Sequence, residues 1–550
     1  MRKLIEILFL LALIPAGLLA QQHDAVRSEV RILTGAGEIA TIPMPASLTV
    51  SEGVFVCRPD TVIHAGPETR DVAEQLSHYL RPATGYAFRV VDRPAGKDNG
   101  IQLSMDRSLS RLGREGYRLE VSSRRIVLRA AAPAGLFYGV QTLRQLFPPA
   151  IYSAAKWSGV EWTVPEVSIE DAPRLEWRGA MVDVARHFMP KADLYRFIDA
   201  MAALKLNHLH LHLTDNQAWR IEIRKYPQLT AQRNPTLEEQ AQSGCNCGLQ
   251  GGFYTQDDLR QIVAYASARY ITVVPEIEMP GHAGAAVSAL PEMGNLDAVM
   301  APEKGAPYRH RVFSPQEKTT LFLEDVLAEV LDVFPSEFIH IGGDEVRKDE
   351  WQNSPSAQAR MRQLGLKTLD EIQSYMVDRM QKFLKSRGRR LIGWSEIMQG
   401  GLSKEATVMA WSLPAADRAP RDGYEVVLAP SEHTYFDYYQ SHDPREPLSH
   451  HYYLPLKRAY AFDPVPPGLT AAQARKVLGA QGQLWTLYMP TPYHLEYMAF
   501  PRLAALAEVV WTPAAKKDYE SFKTRLITQQ QRWSIMGVNF RPLNPTTDDE

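Results

Sequence analysis

The chain has 550 residues, of which 45% are hydrophobic and 23% are charged, and its formal net charge at pH 7 is -2. This balance describes an ordinary globular enzyme with no basic field to attract nucleic acid, and a neutral substrate is compatible with it. The length predicts more than one domain.

Residues 1–20 are predicted to be a secretory signal. A basic start, Met1-Arg2-Lys3, precedes an apolar run over residues 4–19 that only Glu6 interrupts, and Ala20 ends the segment. The run is short for a bilayer span, and no cysteine follows it directly to carry a lipid. The segment predicts export to the periplasm or the medium. Because no second long apolar run appears, no membrane span is expected in the mature protein.

Residues 21–150 are predicted to form a small α+β domain. Strand-like segments such as VFVC, GIQLSM and GYRLEV alternate with the helical patterns DVAEQLSHYL and AGLFYGVQTLRQLF. No cluster of reactive side chains stands out in this region. Residues 151–173 are predicted to be a linker, and residues 541–550 a frayed tail.

The three cysteines, Cys57, Cys245 and Cys247, cannot form a disulfide framework, and an odd count leaves at least one thiol free. Cys245 and Cys247 lie in the glycine-flanked segment SGCNCG, with no further cysteine or histidine spaced as a metal ligand nearby. The sequence therefore predicts neither a metal site nor a cofactor.

Residues 174–540 show eight alternations of a strand pattern and a helix pattern. The candidate strands are 179–188, 208–215, 271–279, 338–345, 390–397, 406–413, 425–439 and 478–485. Eight such units in one region predict a (β/α)8 TIM barrel, and near-continuous apolar strands are typical of parallel strands covered on both faces. A doubly wound open sheet is the alternative, but no G-x-G-x-x-G or P-loop motif follows an early strand.

The stretch FIHIGGDEV, residues 338–346, carries the strongest indication of a site. An apolar strand stops at Gly342-Gly343, where the backbone can turn, and delivers Asp344 and Glu345 to its C-terminal end. In a barrel, residues that follow different strands meet at this end. The corresponding positions are rich in carboxylates, histidine and tryptophan: Asp183, Arg186, His187, Asp215, Glu278, His282, Asp344, Glu345, Trp394, Trp411, Tyr435, Asp437 and Trp485.

A pyranose suits such a site, because its C–H faces pack on indole rings while its hydroxyls need acceptors. Seven segments, in order and spacing, resemble the β-N-acetylhexosaminidases of glycoside hydrolase family 20. They are PRLEWRGAMVDVARHF, HLHLHLTDNQ, PEIEMPGH, FIHIGGDEV, LIGWSEI, Tyr435-Phe436-Asp437 and GAQGQLW. The resemblance covers nearly the whole mature chain, and the region before the barrel is similar to the α+β domain that precedes it in that family.

The resemblance implies an exo-acting, retaining enzyme that releases terminal β-linked GlcNAc or GalNAc with help from the substrate's own 2-acetamido group. In this mechanism the acetamido carbonyl oxygen attacks C1. Glu345 acts as general acid and then as general base, while Asp344 accepts a hydrogen bond from the acetamido N–H and stabilises the oxazolinium. Tyr435 donates to the acetamido oxygen and orients it.

The resemblance also implies binding roles. Arg178 and Asp215 match residues that hold the 3- and 4-hydroxyls, and Asp437 matches the acceptor of the 6-hydroxyl. The pocket walls correspond to Trp394, Trp411 and Trp485. His282 and Glu278 match a pair that supports the general acid, although the family commonly has Asp where this chain has Glu278. His340 is interpreted as a hydrogen-bonded core histidine.

One departure concerns the eighth strand. Two residues after its Trp, the family carries a Glu that binds the 4-hydroxyl together with the arginine matched to Arg178, whereas this chain has Leu487. Since leucine accepts no hydrogen bond, the sequence predicts weak discrimination at C4 or acceptance of a substituted C4. The alternative is that a nearby carboxylate such as Glu496 fills the role.

Other functions remain open at this point. A family variant could release a modified or larger terminal unit. A chitinase of the other substrate-assisted family is disfavoured, because its D-x-x-D-x-D-x-E pattern is absent. A non-catalytic carbohydrate-binding homologue would be expected to lack Asp344, Glu345 or Tyr435, and all three are present. The expected partner is a glycan, not nucleic acid.

Overall fold

The computed structural model describes residues 39–92, 99–231, 251–299 and 311–543. The predicted signal, Cys245, Cys247 and the end of the predicted tail lie outside the described residues. Described residues from Ala40 onward belong to one compact unit. Cys57 is a buried free thiol.

A seven-stranded mixed sheet forms the first part of this unit. Its strands are β1 (Ser47–Val56), β2 (Val62–Ala65), β3 (Val90–Val91), β4 (Gly100–Met105), β5 (Tyr117–Val121), β6 (Arg125–Ala130) and β7 (Thr163–Asp171). Their order across the sheet is β1-β7-β5-β6-β4-β2-β3. Helices α1 (Arg70–Thr84) and α2 (Pro133–Leu146) bury their apolar faces against the sheet. The predicted α+β domain is therefore present.

The predicted linker over residues 151–173 is wrong for its second half, because β7 lies inside the sheet and pairs with both β1 and β5. Its segment TVPEVSIED reads poorly as a strand, since Pro165 and the acidic residues interrupt the apolar alternation. The residues that do face the core, Val164, Val167 and Ile169, are fully or almost fully buried.

Eight parallel strands close into a barrel, which confirms the predicted architecture. They are β8 (Trp177–Asp183), β9 (His208–His212), β10 (Thr272–Glu276), β11 (Phe338–His340), β12 (Arg390–Trp394), β13 (Thr407–Ala410), β14 (Glu425–Leu428) and β17 (Val477–Leu484). Each overlaps one candidate strand. The seventh candidate, 425–439, is too long, because β14 stops at Leu428 and a short helix and a two-residue strand follow.

The outer layer and the connections are mostly helical. The remaining elements are α3 (Lys191–Ala203), α4 (Gln256–Ser267), α5 (Gly284–Ala289), α6 (Glu317–Val333), α7 (Lys348–Gln352), α8 (Pro355–Gln363), α9 (Leu369–Ser386), α10 (Leu413–Arg421), α11 (Ser431–Thr434), β15 (Tyr438–Tyr439), β16 (His450–Tyr453), α12 (Leu456–Ala461), α13 (Ala471–Ala474), α14 (Pro492–Ala499), α15 (Arg502–Trp511) and α16 (Tyr519–Met536). None of the described helices is long and apolar enough to cross a bilayer.

Buried charges join the sheet to the barrel. The Arg178 guanidinium donates to both carboxylate oxygens of Glu115, at 2.8 and 2.9 Å. Lys205 Nζ lies 3.0 Å from Asp171, which also accepts the indole N–H of Trp511. Removing one partner of such a pair leaves an uncompensated buried charge and costs roughly 3 to 5 kcal/mol, so these contacts fix the two layers against each other.

Strand register places four polar side chains in one row at the C-terminal edge of the barrel. Asp183 pairs with His212, His212 with Glu276, and Glu276 with His340. All four are fully buried. This row is the layer on which the candidate site rests.

Candidate active site

The Asp344-Glu345 pair lies on a tight left-handed turn after β11. Gly342 and Gly343 have φ of 68° and 94°, and Glu345 itself has φ of 46°. A Cβ on Gly342 would lie 1.8 Å from Glu278 Oε2, so this position requires glycine. The strained φ of Glu345 costs on the order of 1 kcal/mol or more, and such strain is typical of a functional site.

The turn gives the two carboxylates different environments. The Asp344 side chain is 16% exposed and that of Glu345 is 65% exposed. Asp344 Oδ1 is buried and has no hydrogen-bond partner in the described part of the chain. The turn therefore presents one enclosed acceptor and one accessible carboxyl group.

His282 lies between the two carboxylates. Its Nε2 is 3.5 Å from Asp344 Oδ2 and 3.5 Å from Glu345 Oε2, while its Nδ1 is 3.1 Å from Asp215 Oδ1. Burial opposes the charged form, but the Asp215 and Asp344 carboxylates raise the pKa of His282 well above its usual value. His282 thus lies beside Glu345, the predicted general acid. The carboxylate partner of its Nδ1 is Asp215 and not the expected Glu278.

The predicted pairing of His282 with Glu278 is wrong. Glu278 packs beside Gly342, and neither of its oxygens has a hydrogen-bond partner among the described residues. Burial, reinforced by the negative charges of Asp344 and Glu276, raises the pKa of Glu278 well above that of an ordinary glutamate. Asp215, rather than Glu278, supplies the countercharge of His282.

Asp215 is enclosed and does not face the pocket. Its side chain has no exposed surface, and its Oδ2 contacts Arg186 Nη2 at 2.6 Å and His212 Nε2 at 2.8 Å. Burial opposes ionisation, but Arg186 and His282 hold the pKa of Asp215 well below its usual range. The prediction that Asp215 itself contacts the sugar is not supported by this geometry, which gives it the task of fixing Arg186 and His282.

The predicted sugar-binding role of Arg178 is also wrong. Arg178 is the second residue of β8, at the opposite end of the barrel, and its donors are used by Glu115 and by the carbonyls of Lys205 and Leu175. The arginine at the site is Arg186, whose guanidinium lies 5.1 Å from the Trp485 ring and 3.3 Å from Asp183 Oδ2. Its position after the strand was the available signal, since only residues after the strands reach this edge.

The three predicted pocket tryptophans come together. The rings of Trp394 and Trp485 are 5.7 Å apart, and Trp411 and Trp485 are partly buried against the core cluster that contains Trp394. Trp394 is only 1% exposed. The three indole rings therefore belong to one apolar cluster at this end of the barrel.

Glu396 fixes the orientation of Trp411, and sequence reasoning missed it. Both carboxylate oxygens of Glu396 accept the Trp411 indole N–H, at 3.1 and 2.9 Å. Burial and the charge of Asp344 raise the pKa of Glu396. Its place two residues after Trp394 in WSEI, just past β12, was the available signal.

Tyr435 and Asp437 close another side of the pocket. The Tyr435 ring is 6.3 Å from the Trp485 ring, and the next residue donates its backbone N–H to Gln483 of β17. Burial, with the nearby Asp437 charge, raises the pKa of Tyr435 well above its usual value, so the phenol stays a donor. Asp437 Oδ1 is buried without a partner in the described residues, and burial raises the pKa of this carboxyl to about 7.

The loop after β17 is tied to the arginine of the site. Thr486 donates its backbone N–H to Asp183 Oδ2 at 3.0 Å, and the same oxygen contacts Arg186. Leu487 follows on this loop. Glu496, the proposed substitute acceptor, instead binds Arg196 at 2.5 Å and the backbone of Asn539 at 2.8 Å, so that alternative is wrong.

Comparison with known proteins agrees with this arrangement. Residues 175–514 match the model of the glycosyl hydrolase family 20 catalytic domain, and residues 38–172 match domain 2 of the same family. A β-hexosaminidase of Porphyromonas gingivalis is 40% identical over 509 residues, which cover 91% of this chain and 64% of the relative. The chain thus spans a little under two thirds of that relative's length.

Solved structures give the same result. The β-N-acetylhexosaminidase of Streptomyces coelicolor has a TM-score of 0.79 at 32% identity, with 92% of this chain and 98% of that chain covered. The exo β-N-acetylglucosaminidase of Vibrio harveyi in complex with N-acetylglucosamine has a TM-score of 0.80 at 30% identity, with 92% and 78% covered. The chain belongs to glycosyl hydrolase family 20.

Proposed function

We propose that the protein is an exo-acting, retaining β-N-acetylhexosaminidase that releases terminal β-linked GlcNAc or GalNAc from glycans. One observation carries this proposal. Two buried carboxylate oxygens, Asp344 Oδ1 and Asp437 Oδ1, have no donor in the described residues. Both residues follow barrel strands at the end where the indole rings of Trp394, Trp411 and Trp485 cluster. Buried acceptors are costly unless a ligand satisfies them, and an amide N–H and a hydroxyl of an N-acetylated sugar are suitable donors.

The reaction follows from the different environments of the two adjacent carboxyl groups. Two carboxyls on consecutive residues of one turn cannot stand on opposite faces of a sugar, as an enzyme nucleophile and an acid must. The nucleophile is therefore the substrate's acetamido oxygen, oriented by the Tyr435 hydroxyl. Enclosed Asp344 accepts the acetamido N–H and stabilises the positive oxazolinium, while accessible Glu345 protonates the leaving oxygen and later activates water.

Arg186, rather than Arg178, is the donor to the sugar hydroxyls. Its Nε is buried without a partner in the described residues, and its guanidinium lies beside the Trp485 ring. The N-acetylglucosamine complex of the Vibrio harveyi relative supports a sugar of this class. We also propose export of the protein, which rests on the basic and apolar pattern of residues 1–20.

The experiment that tests this function removes the proposed nucleophile from the substrate. An aryl N-acetyl-β-hexosaminide should be hydrolysed, whereas the same glycoside with a free 2-amine should be inert. A thiazoline analogue of the cyclised intermediate should bind at least about 100-fold more tightly than the free sugar, because the site is complementary to that state. Trapping of a covalent glycosyl ester on any carboxylate would overturn the mechanism.

The paired carboxylates should respond differently to the leaving group. Glu345→Gln should lower kcat by about 100- to 10,000-fold on alkyl glycosides and much less on aryl glycosides of low basicity, which need little protonation. Asp344→Asn should lower kcat by about 100-fold or more across the whole series, because charge on the oxazolinium does not depend on the aglycone. The measurement is kcat of both variants on a series of leaving groups. Equal losses of kcat for the two variants across the series would contradict this assignment.

Asp437 should make the handling of 6-anionic sugars dependent on pH. Because its pKa is raised to about 7, it is neutral below that pH and a carboxylate above it. A 6-sulfate is repelled only by the carboxylate, so the ratio of kcat/KM for 6-sulfated over unsubstituted aryl substrate should rise about tenfold from pH 8 to pH 6. Asp437→Asn should show a ratio that is higher and flat with pH. A flat ratio in the parent enzyme would exclude this role.

Leu487 should relax discrimination at C4. We expect the parent enzyme to hydrolyse gluco- and galacto-configured aryl substrates with similar kcat/KM, while Leu487→Glu should separate them by about 10- to 150-fold, the value of a hydrogen bond of roughly 1.5 to 3 kcal/mol to a charged group. Leu487→Gln is the matched control, because glutamine has the same length as glutamate and carries no charge. If the parent already discriminates as sharply as the Glu variant, Leu487 has no such effect.

A further inference from the structure

Glu276 is a carboxylate without access to solvent. It is the last residue of β10 and is fully buried. Its Oε1 accepts the indole N–H of Trp394 at 2.7 Å and lies 2.8 Å from His340 Nδ1. Its Oε2 is hydrogen-bonded to His212 Nδ1 and lies 3.1 Å from His210 Nε2. Sequence analysis gave this residue no role.

His212 connects Glu276 to the site. Its Nδ1 contacts Glu276, and its Nε2 lies 2.8 Å from Asp215 Oδ2. An imidazole that bridges two carboxylates can donate to both only when it carries both protons. Asp215 in turn holds Arg186 and His282. The contacts therefore run without interruption from Glu276 to the residues beside the substrate.

We propose that Glu276 is a positioning residue of the catalytic site, which orients Asp215 and His282 through a doubly protonated His212 and orients the ring of Trp394 through its indole N–H. This rests on the proposed hydrolase function. Glu276 touches neither the substrate nor the reacting atoms, so its effect passes through side chains that do.

The charges around His212 support the doubly protonated state. Although burial opposes it, the carboxylates of Glu276 and Asp215 raise the pKa of His212 to about 9. The other groups that face it are Asp183, Glu278 with Oε1 at 3.9 Å from Nδ1, Arg186 with Nη1 at 3.4 Å from Nε2, and the neighbouring His210. Burial raises the pKa of Glu278 and lowers the pKa of His210 to about 4, so Arg186 is the cation that opposes the charge among these groups.

The test is Glu276→Gln, which keeps the shape of the side chain and removes its charge. The pKa of His212 should then fall. As the pH rises, activity that needs the imidazolium should therefore be lost at a lower pH than in the parent enzyme. We expect kcat to drop about 100-fold, the loss caused by a displacement of about 1 Å in a site. The alkaline limb of kcat should move at least one pH unit lower.

His212→Gln is the second variant, since its amide is neutral and carries both N–H protons on one nitrogen, so it cannot reproduce the imidazole that contacts Glu276 through Nδ1 and Asp215 through Nε2. It should lose kcat by a similar factor. His340→Gln is the matched control, because it removes a contact of the same Glu276 carboxylate that does not lead to Asp215. Its alkaline limb should stay where it is in the parent enzyme. Unfolding temperatures identify variants that remain folded.

A readout without substrate separates this proposal from the proposed function. Downfield imidazole N–H proton resonances should be present in the parent enzyme at pH 7.5. The resonances that are lost in His212→Gln belong to His212. The same resonances should disappear in Glu276→Gln. An inactive parent enzyme would overturn the proposed function. The proton spectrum would then still test the contact between Glu276 and His212. Unchanged resonances, or folded variants whose alkaline limb does not move, would overturn the role of Glu276.

Discussion

A carboxylate that has no access to water must find all of its hydrogen-bond donors inside the protein, and Glu276 imposes this constraint on the barrel. An uncompensated buried charge costs several kcal/mol, so the surrounding donors have to be present in the correct geometry. Strand register brings two imidazoles to it, because Glu276 pairs directly with His212 on one side and with His340 on the other. A shift of one residue in either strand would turn these imidazoles to the outer face.

Two glutamates on the same segment show how environment decides ionisation. Glu276 is surrounded by imidazoles and an indole N–H, and His340, His212 and His210 hold its pKa well below the usual value despite burial. Glu278, two residues later, has no donor in the described residues, and its pKa is raised well above the usual value. Neighbouring carboxyls on one segment thus have pKa values shifted in opposite directions, because one has donors around it and the other has none in the described residues.

Much of this arrangement is predictable from the sequence because it depends on local pattern. The strand and helix periods indicate all eight barrel strands, and the glycine pair marks the turn that delivers Asp344 and Glu345. The rest depends on facts that only the folded chain holds. Excluding Glu496 requires seeing its partner Arg196. The role of Glu276 depends on strand register, which no single segment of sequence specifies.

The division of labour between the paired carboxylates is finally a property of backbone geometry. In an extended strand, consecutive side chains point to opposite faces, and one of the pair would be lost to the core or to the helix layer. Left-handed φ values at Gly342, Gly343 and Glu345 break that alternation. They leave Asp344 16% exposed and Glu345 65% exposed on the same side of the barrel. His282, which also has a left-handed φ of 48°, lies 3.5 Å from both. Strain at two non-glycine residues thus allows one turn to hold an enclosed anion and an accessible acid that share one histidine.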